Sequence, residues 1–211
     1  MPQHEFHPDL RASLLDRLSA FEVRAHDAAG LRRAAVALVV VPHPETGQPS
    51  VIVTLRPDKM RRHGAQYALP GGQLEEDETP VEAALRETGE ELGLHLNADN
   101  ILGRLDDYAT RSGFCITPYV AWGGADLTLT PDPSEVAQVF HLTFDELNSP
   151  DIPNLETSAH GPEPVMSAFF PTLGHYMFAP TAAILFQFRE IALHARSTRV
   201  AHFDQPVFAW S

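Results

Sequence analysis

The 211-residue chain is short of cysteine, of positive charge and of long apolar runs. Each shortage removes a class of protein. The single cysteine, Cys115, excludes an intrachain disulfide and fits a reducing, cytoplasmic setting. No run approaches the roughly 18 to 20 consecutive apolar residues that cross a bilayer as a helix. The opening residues, MPQHEFHPDLRASLLDRL, have no apolar signal core. Neither membrane association nor secretion is therefore expected. Lys and Arg total 15 against 28 Asp and Glu, a net charge of −13. That balance argues against binding a nucleic-acid backbone. It also means that an anionic small molecule needs local help from a cation or an arginine cluster. The 11 histidines are scattered, with no HxH or HxxxH spacing, so no zinc site is expected. There is no GxSxG elbow and no P-loop, which removes serine hydrolases and P-loop nucleotidases.

What the chain does have is concentrated at residues 72–94, GQLEEDETPVEAALRETGEELGL. Thr79 suits a helix N-cap, Pro80 the first helical position, and Glu82 the third, where it completes a capping box. The helix is predicted to run to about Leu92, where Gly93 can close it in the left-handed conformation. Val81, Ala84, Leu85, Thr88 and Leu92 recur at helical spacing and form the expected inward face. Glu87, Glu90 and Glu91 stand at i, i+3 and i+4, so their carboxylates gather on another stripe. Such a stripe is either a solvated acidic face or a set of hard oxygen ligands of the kind Mg²⁺ or Mn²⁺ favours. Before it, residues 56–72, RPDKMRRHGAQYALPGG, hold the densest basic cluster of the chain: Arg56, Lys59, Arg61, Arg62 and His63. This is a solvated basic loop or a phosphate-recognition loop. Pro70-Gly71-Gly72 lets the backbone turn sharply and approach a ligand closely.

The spacing Gly72, five residues, Glu78, seven residues, Arg86-Glu87-Thr88-Gly89-Glu90-Glu91-Leu92-Gly93-Leu94 resembles the Nudix box. Thr88 is the one departure, standing where an aliphatic residue or Ala is commoner. The resemblance implies a Nudix fold of the α+β class, an α/β/α sandwich around a mixed β-sheet. It also implies Mg²⁺ or Mn²⁺ held by Glu87, Glu90 and Glu91 with the Gly71 carbonyl. Arg86 would orient those acids, Glu78 would tie the loop to the helix, and Gly72 and Gly93 would complete the motif. Within the family, Arg61-Arg62-His63-Gly64-Ala65-Gln66 with Leu69-Pro70-Gly71-Gly72 is similar to the coenzyme A diphosphatase subgroup. So are Arg56, the stretch LDDYATRSGFCITPYV, and Pro133-Ser134-Glu135-Val136. Ala65 and Leu69 depart from that subgroup, where Gly and Phe are usual. The implied reaction is hydrolysis of a nucleoside diphosphate linked to another group, such as coenzyme A. Arg56, Arg61 and His63 would grip its phosphates, and Glu91 or Glu135 would act as general base. Glu135 on its own residues reads equally as a strand-edge carboxylate in water. ADP-ribose, a dinucleotide or an oxidised nucleotide stays open as substrate, and a non-catalytic nucleotide-sensing domain is a further alternative.

The remaining pattern divides the chain into an N-terminal helical extension, 1–30, a Nudix domain, 31–198, and a tail, 199–211. Residues 8–20 read as an amphipathic helix with Leu10, Leu14, Leu15 and Leu18 on one side. Residues 34–41 and 51–56 form a hairpin around the turn 43–50. Residues 101–123 read as two strands around Arg111-Ser112-Gly113, and 136–142 as a strand leading into a short helix at Phe144. Residues 148–164 read as a long polar loop, 167–180 as a hairpin, and 179–197 as a helix capped by Thr181. That last helix is expected on the far side of the sheet, completing the sandwich. Cys115 reads as a small apolar filler. The tail is expected to add an edge strand or to lie across a homodimer partner.

Overall fold

The computed structural model describes residues 5–57, 66–125, 127–158 and 161–207. An N-terminal helix, α1, covers Pro8–Ser19. The main sheet begins with β1, Arg32–Pro42, and β2, Pro49–Leu55, followed by the short β3, Tyr67–Ala68, and β4, Gly71–Gln73. Helix α2, Pro80–Leu92, comes next, then a 3-10 turn, Ala98–Asn100. Strands β5, Ile101–Arg104, β6, Tyr108–Ala109, β7, Phe114–Trp122, and β8, Gln138–Thr143, complete this sheet. A short α3, Phe144–Leu147, leads to a second sheet of β9, Asn154–Glu156, β10, Val165–Phe170, and β11, His175–Phe178. The last helix, α4, is Thr181–Phe188, continued by a π-helical turn, Arg189–Leu193.

The larger sheet is mixed. Strand β1 runs antiparallel to β2 and β4 and parallel to β7 over nine residue pairs, Arg32 opposite Phe114 through Val40 opposite Trp122. Period-two alternation along β1 builds two cores. Leu38 and Val40 point into a cluster with Leu14 and Leu18 of α1 and Ala183, Leu185 and Phe188 of α4. Ala35, Ala37, Val39 and Val41 point the other way, against Ala83, Ala84 and Leu92 of α2. The mixed sheet thus has helices on both faces, as the expected sandwich requires. Alanine on both sides of the α2 contact lets that helix lie close to the sheet. Buried Thr88 is accommodated there because its hydroxyl donates to the Ala84 carbonyl at 2.7 Å.

Several local expectations need correction. Leu15 is 39% exposed, because the buried stripe of α1 is Leu14 and Leu18 at i and i+4, and Leu15 falls one position off it. The inward face of α2 is Ala83, Ala84, Thr88, Glu91 and Leu92, so Ala83 and Glu91 take the places expected for Val81 and Leu85. The helix is turned toward its acidic stripe because its small residues fit against the alanines of β1. Residues 101–123 form three strands, since Leu105, Asp106 and Asp107 separate β5 from β6, each of which pairs with β7. The loop at 148–164 contains β9, whose partner β10 lies later in the chain, a non-local pairing that composition does not reveal. Thr181 is not the cap of α4. Pro180 occupies that position in helical conformation and offers no side-chain bond. Cys115 is 4% exposed in β7, as its filler reading requires.

Candidate metal centre

Helix α2 owes its bounds to local chemistry. Thr79 Oγ1 accepts from the Glu82 N–H at 3.4 Å and the Glu82 carboxylate accepts from the Thr79 N–H at 2.9 Å. At the other end Gly93 sits at φ 66°, and its N–H donates to the Gly89 carbonyl at 2.9 Å. The helix lies over β4 and β1 at the end of the sheet where β1 begins and β2 finishes. Two of its glutamates face that end.

Glu87, Glu91 and Glu135 converge there: one carboxylate oxygen from each lies within 4.8 Å of the other two. Among the described residues no other trio of His, Cys, Asp or Glu comes together in this way. Glu91 is 2% exposed. It accepts a bond from the Gly71 N–H at 3.2 Å and faces the Arg56 guanidinium at 3.4 Å. Burial pushes its carboxyl up to about 7, against the opposing pull of Arg56. Burial likewise raises Glu87. Glu87 lies against bare backbone: a Cβ on Gly72 would stand 2.2 Å from its Oε1, so only glycine allows the approach.

Glu90 is not in the trio. Its carboxylate is half exposed and takes an Arg86 Nη1 bond at 2.8 Å. Arg86 is the hub of the loop. It grips Glu78 through Nε at 2.8 Å and Nη2 at 3.0 Å, reaches Glu87 through Nη1 at 3.0 Å, and donates to the Gln73 carbonyl at 3.3 Å. The hydrogen bond from Arg86 holds Glu78 below the usual carboxylate range, and Glu78 in turn raises the Arg86 guanidinium further. Glu78 also accepts from the Glu75 N–H at 2.9 Å, which closes the turn before α2.

Of the residues assigned to phosphates, Arg56 stands inside the acid cluster, bonded to Glu91 and, at 3.4 Å, to the Gly71 carbonyl. Arg61 and His63 lie outside the described residues. Reading the sequence also missed what holds Glu135 in place. The signal was present in Asp132 and Ser134, a pair that favours local turns.

The donor set fits a hard divalent cation: three carboxylate oxygens on one spot, one of them buried with a single guanidinium for compensation. Residues 31–167 match the family model of the NUDIX domain, and the chain belongs to the Nudix family. It is 34% identical over 116 residues to "Uncharacterized Nudix hydrolase NudL" of Yersinia pestis (strain Pestoides F), a match covering 54% of this chain and 57% of that protein. The same figures hold for the protein of that name from Yersinia pseudotuberculosis serotype O:1b. The match thus spans a little over half the length of these relatives. Among solved structures, a MutT/nudix family protein from Enterococcus faecalis shares the fold, with a TM-score of 0.56 at 16% identity. That likeness covers 87% of this chain and 69% of the other. Among the described residues no helix is long and apolar enough to cross a membrane.

Proposed function

We propose that the protein hydrolyses the diphosphate bond of a nucleoside diphosphate joined to another group. The substrate we assign is coenzyme A or an acyl-coenzyme A, and the products are 3′,5′-ADP and 4′-phosphopantetheine or its acyl form. The observation that carries the reading is the convergence of Glu87, Glu91 and Glu135 within 4.8 Å, in a chain of the Nudix family. Mg²⁺ or Mn²⁺ would be held by these three acids, with Glu90 and the Gly71 carbonyl as neighbouring oxygen donors. Such a cation neutralises the charge of a diphosphate and acidifies water.

The chain's own residues do the rest. Arg86 fixes Glu87 and Glu90 and limits the repulsion among the acids. Arg56, beside Glu91, is available to a phosphate oxygen once a cation takes over the compensation of that carboxylate. Arg61 and His63 belong to the same basic loop and are assigned to the phosphates with it. Water adds to one phosphorus, the bridging oxygen leaves with the other phosphate, and Glu91 or Glu135 takes the proton that water releases. The single cysteine fits a reducing, cytoplasmic site of action.

Ala65 and Leu69 favour a second substrate reading, since both depart from the coenzyme A subgroup: ADP-ribose, a dinucleotide or an oxidised nucleotide. The deciding experiment is incubation of the full chain with Mg²⁺ and each candidate, with products resolved by mass. Coenzyme A turnover well above that of ADP-ribose supports the assignment. Equal or greater turnover of ADP-ribose removes coenzyme A as the substrate. Binding without turnover of any candidate removes the hydrolase reading.

A further inference from the structure

Two of the three converging acids stand on a helix, but Glu135 arrives from a loop, and a specific joint holds that loop. The last carbonyls of a helix have no partner within it. Here the Leu92 carbonyl accepts from the Thr130 N–H at 2.8 Å and the Glu91 carbonyl from the Asp132 N–H at 3.0 Å. The loop is therefore fastened to the same residue that supplies the buried carboxylate. Asp132 then turns its own carbonyl to the N–H groups of Glu135, at 3.1 Å, and Val136, at 2.8 Å. Its side chain makes the turn: Oδ1 accepts from both the N–H and the hydroxyl of Ser134, each at 2.8 Å. Beyond it Val136 is buried against the core under α2, and the Ala137 N–H donates to the Leu55 carbonyl at 2.8 Å, one residue before Arg56.

We propose that Asp132 is a positioning residue for the acid cluster: its carboxylate, by holding the turn at Ser134, sets Glu135 against Glu91. The inference rests on the cation reading given above and adds to it a residue that touches neither cation nor substrate. Side-chain acceptors two residues before a backbone N–H are a standard means of locking such turns. Groups that orient metal ligands from one shell out commonly change metal affinity 10- to 100-fold. The rival explanation is that the buried Val136 alone anchors the segment. In that case the Asp132 side chain, which is exposed, is dispensable.

The test is Mn²⁺ binding to the full chain, read from the loss of the free-ion electron paramagnetic resonance signal. It compares the wild type with Asp132→Ala, Asp132→Asn, Ser134→Ala and Glu135→Gln. Asp132→Ala is expected to weaken Mn²⁺ about tenfold, with a metal-free melting temperature close to the wild type. Asp132→Asn is expected to bind nearly as well as the wild type, because its Oδ1 accepts the same two hydrogens. Ser134→Ala removes one of the two bonds and should fall between; it carries the test if Asp132→Ala folds poorly. Unchanged affinity in Asp132→Ala beside a weakened Glu135→Gln overturns the proposal and leaves the cation reading standing. An Asp132→Asn variant as weak as Asp132→Ala also overturns it, since charge would then matter and the turn would not. If Glu135→Gln binds Mn²⁺ like the wild type, Glu135 is no ligand, and both readings of that acid fall together.

Discussion

At Glu91 the demands of folding and of the proposed cation binding oppose each other. Its carboxyl is buried beside two other acids, with Arg56 and the Gly71 N–H as its compensation. Burial raises it to about 7. A carboxyl raised in the folded state favours folding while it is neutral. That advantage is complete below the ordinary carboxylate range and is lost as pH rises through about 7. Across that interval the metal-free protein loses on the order of 3 kcal/mol. Glu91→Gln keeps the shape and an acceptor for Gly71 but never ionises. In EDTA the variant should therefore match the wild type near pH 4. At pH 8 it should be more stable by about 1 to 3 kcal/mol, less whatever Arg56 loses as its partner. Urea unfolding at the two pH values measures this. A wild type more stable than Glu91→Gln at pH 8 without metal would show that Arg56 already compensates the buried charge. Buried charge kept at a loss of stability is what a cation site requires, because the cation then supplies the missing compensation.

The elements carrying the site differ in how far the sequence disclosed them, and Gly93 shows why. Helix α2 was readable at both ends because its signals are local: Thr79 and Glu82 at one end and the left-handed glycine at the other. The hairpin of β1 and β2 was readable from two apolar runs around a turn. Which glutamates turn inward was not, because that depends on how Ala83 and Ala84 seat against the alanines of β1. For the same reason Glu90 and Glu91, neighbours on one expected stripe, end up half exposed and buried. Glu135 entered only through a family resemblance; Asp132 and Ser134 signal a turn beside it, but not that residues 130–136 are fastened to the end of α2. Gly93 marks that fastening. A Cβ there would lie 1.8 Å from Thr130 Oγ1 in addition to meeting the unfavourable φ. Gly93→Ala is thus expected to lose more than the roughly 1 to 2 kcal/mol typical of a left-handed site. It should weaken Mn²⁺ as well, because the displaced loop carries Glu135. Adding Thr130→Ala should restore part of both. If Gly93→Ala loses no more than that ordinary cost and the second change restores nothing, the contact between loop and helix end is loose.

At the scale of the whole molecule, the folded unit reaches past the stretch that matches the family, residues 31–167, on both sides. Helix α1 enters the larger core through Leu14 and Leu18, and Val200 and Phe203 enter the same core from the C-terminal side. The two extensions meet at Asp106, which is 4% exposed. Its carboxylate accepts from the Arg24 N–H at 2.7 Å, from Gln187 Nε2 at 2.8 Å, and from Arg199 Nη1 at 2.8 and 3.0 Å. Further along, Asp204 receives a two-pronged pair from Arg111 at 2.9 Å, and the Phe203 carbonyl accepts from the buried Tyr108 hydroxyl at 2.6 Å. Ending the chain after Thr198 removes two buried apolar side chains, worth roughly 1.5 to 3 kcal/mol each. It also leaves a buried carboxylate without its guanidinium, a loss of about 3 kcal/mol. For a domain whose total stability is about 5 to 15 kcal/mol, that is a large share. The truncated chain should unfold at a much lower urea concentration than the full one, and Arg199→Ala should show part of the fall. The acid cluster lies at the end of the sheet marked by Gly71 and Arg56 and shares no residue with this network. The folded fraction of truncated protein should therefore bind Mn²⁺ with the affinity of the full chain. An unchanged urea midpoint would mean that residues 199–207 pack on the surface without contributing to stability. A lower midpoint with weakened Mn²⁺ binding would mean that the strands transmit the loss of the Asp106 joint to the cluster.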